Sequence, residues 1–361
     1  MQEVVKGIEN VGGILQSIES RRYLLVCDAA FPHLSVALPP EGARFDQFTS
    51  NPLYEDVCKG VELFNREGCD AIVAVGGGST IDVAKCIKLY CRMDPSVNYL
   101  EQTVSDTHVP LIAVPTTAGT GSESTRYAVI YYEGRKQSVT HTSIIPGYAV
   151  LEPLLLKTLP LYQKKCTMLD ALCQGIESMW SVNSTNESME YSKAAVERIM
   201  AYYRDYIEHN TDEAAENVML AANYAGRAIN ITQTTAPHAM SYKLTSMYGV
   251  PHGHAVSLCM PEVWNYMLEH PDECSDPRGR EHLEAIFVRI GRMMGADSPL
   301  MGLTKFRTLM ETLQMPTPVS LSPKEDLETL TNSVNPVRLK NNPVPLPSGV
   351  IYTMYKNILN L

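Results

Sequence analysis

A carboxylate, an amide and two histidines are the residues of this 361-residue chain best suited to chemistry. The first two belong to the stretch Asp170-Ala-Leu-Cys-Gln174, and the histidines are His238 and His252. A spacing of four residues places Asp170 and Gln174 on one face of a helix. Carboxylate and imidazole groups can hold a divalent cation and leave a position open to substrate. The pattern predicts a metal site, although an exposed polar stripe and two packed histidines would give the same pattern.

A glycine-rich loop in the first half is a candidate phosphate-binding site. It begins where the apolar run 71–75 ends and a helical pattern begins, and its polar and glycine residues are Gly76, Gly77, Gly78, Ser79 and Asp82. Glycines let backbone N–H groups approach a ligand closely, and the N-terminus of a helix attracts a pyrophosphate. The alternative is an ordinary glycine-rich turn in which Ser79 caps the helix.

A second polar loop follows the apolar run 111–115 and contains Thr116, Thr117, Thr120 and Ser122. Sheets of parallel strands bind ligands at the carboxyl ends of their strands, so two such loops together favour a bound nucleotide. Asp28 closes the first apolar run. Its carboxylate could accept hydrogen bonds from an adenosine ribose and repel a 2′-phosphate, or it could be only a loop residue or a helix cap.

The pattern of the chain changes near residue 155, which predicts two domains. Short apolar runs at 22–28, 71–75, 111–115, 127–132 and 149–151 predict strands, and helical patterns separate the first three. Gly134 indicates a hairpin added to the resulting parallel sheet. After Pro160 the patterns are almost all helical. We therefore expect an α/β dinucleotide-binding domain at 1–157 and an all-α domain at 158–361.

Composition excludes several functional classes. The formal net charge is −10 and no stripe of lysine and arginine is present, which argues against a nucleic-acid partner. No apolar run approaches the length of a membrane span, so no membrane partner is expected. The nine cysteines form no CxxC pair and the N-terminus does not resemble a secretion signal. We expect a cytoplasmic protein with reduced thiols, assembled as a homo-oligomer, a dimer.

Several motifs in a fixed order resemble the iron-dependent, group III alcohol dehydrogenases over nearly the whole chain. They are Gly76-Gly-Gly-Ser-x-x-Asp82-x-Ala-Lys85, Pro115-Thr-Thr-Ala-Gly-Thr-Gly-Ser-Glu123, Leu151-Glu-Pro153, Asp170-Ala-Leu-Cys-Gln-Gly-Ile-Glu177 and Pro251-His-Gly253. The resemblance implies a dinucleotide domain, a helical domain and a catalytic metal in the cleft between them. It also implies hydride transfer between NAD(H) and a small alcohol or aldehyde, with the metal acting as a Lewis acid.

The resemblance also implies roles for individual residues. Asp170, His238 and His252 match metal ligands, and Lys136 matches a lysine beside the nucleotide. The glycine-rich loop matches the pyrophosphate loop, and the threonines and serine at 116, 117, 120 and 122 match a second cofactor loop. Asp28 falls where the family has an acidic residue that favours NAD over NADP.

Two residues depart from the family pattern. Gln174 replaces a histidine ligand, and Tyr242 replaces a further active-site histidine. An amide oxygen is a harder and weaker ligand than imidazole, so Gln174 binds the metal poorly, binds it through water or leaves a three-ligand site. Zinc or manganese then becomes an alternative to iron. Tyr242 is a candidate proton donor or a space filler, and His254 is a candidate proton carrier or partner of a metal ligand.

A narrower branch, the phosphonoacetaldehyde reductases, is also similar to this chain. The segments that carry this likeness are Asp170–Gln174, His238–Ser246 and Val337–Pro343. Lys243, Arg338, Lys340 and Arg126 are cations that a phosphonate substrate would need. The alternatives are a reductase of another small aldehyde, a lyase or cyclase similar to dehydroquinate synthase with no net NADH turnover, and a catalytically silent nucleotide-binding protein.

Overall fold

The chain divides into two compact units, Met1–Leu159 and Pro160–Leu361. The computed structural model describes residues 2–29, 31–34, 38–40 and 42–361. The first unit contains a parallel sheet with helices, and the second is helical, so the predicted fold class is confirmed. The sequence predicts domain limits of 1–157 and 158–361, and these limits stay a prediction.

A six-stranded parallel sheet organises the first unit, with strand order β1-β8-β5-β4-β2-β3. The strands of this unit are β1 (Glu3–Lys6), β2 (Tyr23–Cys27), β3 (Ala43–Phe45), β4 (Ala71–Gly76), β5 (Leu111–Pro115), β6 (Tyr127–Tyr132), β7 (Arg135–Thr140) and β8 (Tyr148–Leu151). Its helices are α1 (Val11–Ser17), α2 (Tyr54–Arg66) and α3 (Gly78–Tyr90). Strands β2, β4 and β5 are buried along their whole length, which explains their continuous apolar runs.

Both faces of this sheet carry a hydrophobic core. Leu24 and Ile72 belong to the cluster that includes the buried side chains of α2 and α3. Leu25 and Val73 belong to a second cluster with the buried side chains of α1. Successive side chains of a strand point to opposite faces, so each apolar run supplies both clusters.

The predicted hairpin is present, but it is not part of the main sheet. Strands β6 and β7 pair antiparallel as a separate two-stranded sheet, and Glu133 and Gly134 turn between them with φ of 49° and 70°. The sequence analysis also missed β1 and β3, which lie at the two edges of the main sheet. Edge strands this short bury few side chains, so they leave little apolar pattern to detect.

The second unit is built around a buried central helix, α4, which packs against α5, α6 and α8. Its helices are α4 (Leu161–Trp180), α5 (Asn186–Arg204), α6 (Asp212–Thr232), α7 (Ala236–Tyr248), α8 (His252–Glu269), α9 (Arg280–Met293), α10 (Pro299–Thr312), α11 (Pro323–Ser333), α12 (Pro336–Leu339) and α13 (Ser348–Ile358). A π-helical turn, Asp205–His209, follows α5.

Two general expectations can be compared with the structure. Within the described ranges, no helix is both long and apolar enough to cross a membrane. All nine cysteines lie in those ranges, and none of them forms a disulfide.

Candidate metal centre and cofactor loops

Helix α4 carries three polar side chains on one buried face. Asp170 and Gln174 are each 3% exposed, and Glu177 is fully buried. Spacings of four and three residues put them on successive turns of the same side. Three buried polar residues in the centre of a helical unit require partners, so an exposed polar stripe is not what α4 presents.

The two histidines reach this face from the first turns of α7 and α8. Pro237 lies in the first turn of α7 and directly precedes His238, whereas His252 itself begins α8 after Pro251. Proline is favoured in the first turn of a helix and fixes the entry of the chain, so these segments set the direction of both imidazoles.

Asp170, His238 and His252 form a cluster of candidate metal ligands. One ligand atom from each residue lies within 4.8 Å of those of the other two. His238 Nε2 is 3.3 Å from Asp170 Oδ1, and neither atom has a hydrogen-bond partner among the described residues. Buried polar atoms of this kind are costly unless something binds them. Because a carboxylate and two imidazoles suit iron, zinc and manganese, the donor set fits a divalent metal.

Glu177 contacts a candidate metal ligand, and the sequence predicted no role for it. Its Oε1 atom is hydrogen-bonded to His238 Nδ1. Its Oε2 atom accepts hydrogen bonds from Thr235 N at 2.6 Å and Thr235 Oγ1 at 2.9 Å. Holding Nδ1–H directs the other ring nitrogen, Nε2, toward Asp170, which is how carboxylates orient metal-binding histidines. The available signal was its position one turn after Gln174.

The charges of the cluster reinforce one another. Burial raises the pKa of Asp170, but the close approach of His238, the charge of His252 and the contact with Gln174 outweigh burial and hold that pKa below its usual value. Burial lowers the pKa of His238, whereas Glu177 and Asp170 raise it, with a net value of about 9. Asp170 is therefore ionised at neutral pH, and a metal bound at His238 would displace a proton.

Gln174 contacts the cluster through Asp170. It is buried on α4 and takes part in the hydrogen bond that lowers the pKa of the Asp170 carboxyl. This contact places the amide beside the carboxylate. Its membership in a metal coordination sphere stays a prediction.

The two residues predicted to be catalytic, Tyr242 and His254, have different neighbours in the structure. The Tyr242 ring stacks on His252, with centroids 5.7 Å apart and planes 3° apart. His254 is fully buried, and its Nδ1 atom lies 2.7 Å from the hydroxyl oxygen of Tyr162. Two residues along a helix turn a side chain by about 200°, so His254 faces away from His252. Tyr242 lies beside the cluster, and a catalytic role for His254 stays a prediction.

The two predicted cofactor loops lie side by side in the first unit. Strand β4 pairs with β2 and β5, with Cys27 opposite Val75 and Gly76 opposite Pro115. The residues that follow these strands, including Asp28, Gly77 and Thr116, therefore emerge at the same edge of the sheet. This is the edge at which parallel sheets bind ligands.

Contacts between the loops explain the glycines. A Cβ on Gly78 would lie 2.7 Å from Thr120 Oγ1, and one on Gly77 would lie 3.5 Å from Thr117 Cγ2. Helix α3 begins at Gly78, so its unpaired N–H groups are next to this junction. A larger residue than glycine at position 78 would displace Thr120.

Several of the predicted cofactor-binding residues form hydrogen bonds with other residues of the protein. Asp82 accepts hydrogen bonds from Ser122 Oγ at 2.6 Å and from Val129 N at 2.9 Å. The N–H of Thr116 donates to Gly76 O at 3.0 Å. Ser79 Oγ donates to Ser50 O, and the N-cap position of α3 belongs to Gly77, so Ser79 is not the helix cap.

Lys136 and Lys85 lie near the carboxylate of Asp82. The charge of Lys136, on β7, lowers the pKa of Asp82, although burial has the larger effect and raises it. Lys85 Nζ donates to Ser122 Oγ at 3.0 Å, to Thr125 Oγ1 at 3.1 Å and to Tyr127 O at 2.7 Å. Lys85 is the last residue of the first family motif, and the sequence predicted no role for it. The structure places it where α3, the second loop and β6 meet.

Two family models of known proteins together match nearly the whole chain. Residues 5–153 match the family model for iron-containing alcohol dehydrogenases, and residues 165–359 match the model for the C-terminal domain of that family. The chain belongs to the iron-containing alcohol dehydrogenase family. The resemblance inferred from the ordered motifs is confirmed.

Individual members of the family show different degrees of similarity. A phosphonoacetaldehyde reductase from Streptomyces viridochromogenes is 35% identical over 278 residues, which are 72% of this chain and 67% of that protein. An NAD-dependent methanol dehydrogenase from Bacillus methanolicus is 32% identical over 72% of each chain. The fold is similar to that of sulfoacetaldehyde reductase from Bifidobacterium kashiwanohense in complex with NAD+, with a TM-score of 0.87, 24% identity, and coverage of 99% of this chain and 97% of that one.

Membership in the iron-containing alcohol dehydrogenase family also establishes the class of activity. The family consists of oxidoreductases that interconvert alcohols and aldehydes. The prediction that this chain is a dehydrogenase or reductase is therefore confirmed at that level.

Proposed function

We propose that this protein reduces phosphonoacetaldehyde to 2-hydroxyethylphosphonate, using NADH and one divalent metal, iron, zinc or manganese. In this reaction the aldehyde takes a hydride from NADH and a proton from the protein or water, and the products are the alcohol and NAD+. The observation that carries the proposal is the cluster of two buried residues, Asp170 and His238, and the half-buried His252, with Glu177 hydrogen-bonded to His238.

Three residues of this chain are the proposed metal ligands, and two others orient them. Asp170 contributes an ionised carboxylate, and His238 and His252 contribute imidazole nitrogens. Glu177 keeps His238 in the orientation that presents Nε2. Ser241 Oγ lies 3.4 Å from His252 Nδ1, which supports the other ring nitrogen, Nε2, as the proposed ligand atom. Asp170, His238 and His252 would hold a divalent metal, and such a metal would supply Lewis acidity toward a carbonyl group.

The two loops of the first unit support a dinucleotide as the hydride source. Gly77 is the N-cap of α3 and Gly78 is its first residue, so backbone N–H groups are available to a pyrophosphate. Thr117 and Thr120 from the second loop lie against them. The bonds from Ser122 to Asp82 and from the Thr116 N–H to Gly76 fix the shape of this junction. Lys136 contributes a positive charge near Asp82, and Ser79 lies in the first turn of α3. Asp28, at the end of β2, favours NAD over NADP because its carboxylate repels a 2′-phosphate.

Tyr242 is the proposed source of the proton. Burial raises the pKa of its hydroxyl, although the charge of Arg338 lowers it, so the group keeps its proton at neutral pH. Its ring is stacked on His252. A protonated hydroxyl beside a metal-ligand histidine can donate to the oxygen on which negative charge develops during reduction.

The phosphonate substrate is supported by sequence. The relative of 35% identity is named for phosphonoacetaldehyde, and its aligned segment covers 72% of this chain. The aldehyde is small and anionic, so the site needs a cation as well as a metal. Reduction of another small aldehyde is the alternative within the same chemistry.

The test measures NADH oxidation and bound metal on the same preparations. The purified protein is assayed with phosphonoacetaldehyde, succinic semialdehyde and propanal. The variants are His252→Ala and, as a control, His209→Ala, which changes an exposed histidine. We expect NADH oxidation equimolar with aldehyde consumed, preference for phosphonoacetaldehyde, and loss of both metal and turnover in His252→Ala with NADH affinity retained.

Three outcomes would contradict the proposal. Product formation without net NADH oxidation would indicate the lyase or cyclase alternative. NADH binding without metal or turnover would indicate a silent nucleotide-binding protein. Full activity of metal-free His252→Ala would remove the metal from the mechanism.

A further inference from the structure

Arg338 is linked to the candidate metal centre through one aromatic ring. Its Nη1 atom donates a hydrogen bond to the Tyr242 hydroxyl at 3.1 Å, and its guanidinium carbon lies 5.3 Å from the centroid of that ring. The same ring stacks on His252. The two segments are 96 residues apart in the chain, and the contact between α7 and α12 brings them together.

The charge of Arg338 is not balanced by a carboxylate. In the part of the chain that the structure describes, no aspartate or glutamate oxygen lies within 4.0 Å of its side-chain nitrogens. Arg278 is a useful contrast, because its guanidinium forms hydrogen bonds with both Asp276 oxygens at 2.9 and 2.6 Å. Arg338 is partly buried and makes one side-chain hydrogen bond in that part of the chain. A guanidinium has five N–H donors, so it retains the capacity to bind a planar or tetrahedral oxyanion.

We propose that Arg338 binds the phosphonate end of the substrate while the aldehyde end lies at Asp170, His238 and His252. The inference rests on the proposed function and assigns the substrate's charge to one residue. Arginine suits this role because its fork can form two parallel hydrogen bonds with one phosphonate group. Tyr242 sets the position of the guanidinium by accepting one of its hydrogen bonds.

The distances also restrict the length of the substrate. The His252 ring and the Arg338 guanidinium lie 5.7 Å and 5.3 Å from the centroid of the Tyr242 ring, so the distance between them is at most the sum of these two values. A short molecule with its anionic group close to the aldehyde can reach both ends of this span. A neutral aldehyde forms no ion pair with Arg338, and it depends on this residue only through the charge beside the Tyr242 hydroxyl. Arg338 therefore contributes more to phosphonoacetaldehyde than to a neutral aldehyde.

A purely structural role for Arg338 predicts a different result. If the side chain only packed α12 against α7, its replacement would impair every aldehyde equally. If it binds the phosphonate, replacement impairs anionic substrates much more than neutral ones. The ratio of the two efficiencies therefore separates the roles.

The experiment compares Arg338→Gln and Arg338→Lys with the wild-type protein. Glutamine keeps an N–H donor for Tyr242 and removes the charge, and lysine keeps the charge and removes the fork. Arg307→Gln, at an exposed position of α10, is the matched control. The measurements are kcat/KM for phosphonoacetaldehyde and propanal, and the Kd of 2-hydroxyethylphosphonate for the metal-free protein by calorimetry.

We expect Arg338→Gln to lower kcat/KM for phosphonoacetaldehyde about 10- to 100-fold, chiefly through KM, and to weaken 2-hydroxyethylphosphonate binding similarly. Its efficiency with propanal should fall much less, because propanal loses only the charge of Arg338 beside the Tyr242 hydroxyl. Arg338→Lys should be intermediate. Equal losses on both aldehydes, or unchanged 2-hydroxyethylphosphonate binding, would overturn the inference. If no aldehyde is reduced, the proposed function fails, and calorimetry still decides the role of Arg338: binding that depends on Arg338 supports it, and binding that does not, or no binding, overturns it.

Discussion

Gly253 approaches Asp170 so closely that a β-carbon on the glycine would stand 2.7 Å from the Asp170 β-carbon. The backbone oxygen of Cys166 lies on the same side. The start of α8 therefore rests directly on α4, and this close approach is what brings His252 to the carboxylate. A glycine next to a ligand histidine is required here by space, since its φ is not in the left-handed region.

Gly253→Ala should separate α8 from α4. A side chain that meets a helix backbone cannot be accommodated by a rotamer change, so we expect the free energy of unfolding to fall by about 1–3 kcal/mol. Bound metal and activity should fall together. Gly349→Ala is the control, because nothing lies within 4 Å of its added carbon. Unchanged metal content and unfolding midpoint in Gly253→Ala would show that the two helices do not need this contact.

Glu177→Gln should weaken metal binding without removing a candidate ligand. The carboxylate accepts from both His238 and Thr235, whereas an amide offers one acceptor oxygen, so one donor loses its partner. Loss of such an orienting group costs about 10- to 100-fold in metal affinity. Competition with a chelator measures the Kd for Zn2+, with exposed Glu197→Gln as control. Equal affinities would mean that His238 is oriented without Glu177.

Gln174→His should increase metal retention if position 174 faces the bound metal. Imidazole is a stronger ligand than an amide for iron and zinc. Metal content is measured after dialysis against a chelator, and Gln163→His, on the same helix, controls for an added histidine. Retention no better than wild type would place Gln174 outside the coordination sphere.

Gly78→Ala should affect the cofactor and leave the metal in place. The added carbon would lie 2.7 Å from Thr120 Oγ1 and push that side chain from its rotamer. Such a displacement costs about 0.5–1.5 kcal/mol, so the KM for NADH should rise about threefold to tenfold. Metal content should equal that of Gly13→Ala, a helical glycine with open space around it. An unchanged KM would exclude this junction from cofactor binding.

Lys85 should give stability a specific pH dependence. Burial lowers its pKa to about 8, although Asp82 and Glu123 oppose this, and the unfolded value is about 10.4. Between these values the unfolded chain binds more protons than the folded one, so the contribution of this group to stability rises with pH. Urea unfolding between pH 7.5 and 10 should show the difference between wild type and Lys85→Met increasing. A difference that stays constant or falls would contradict this assignment.

The sequence predicted the parts of the molecule that depend on local pattern. Continuous apolar runs identified β2, β4 and β5, because a strand buried on both faces has no polar alternation. Ordered motifs identified the family, and the spacing of Asp170 and Gln174 placed both on one helix face. The apolar pattern did not reveal the short edge strands. It also did not show that the β6–β7 hairpin is separate from the main sheet.

Tertiary packing alone decided which distant residues meet. Glu177 and His238 are 61 residues apart, and Arg338 and Tyr242 are 96 apart. Periodicity reports whether a residue is buried and on which face of its own element, but it does not report which other element covers that face. The arrangement of α4, α7, α8 and α12 gives Asp170 its histidines, gives His238 its carboxylate and places a guanidinium beside Tyr242.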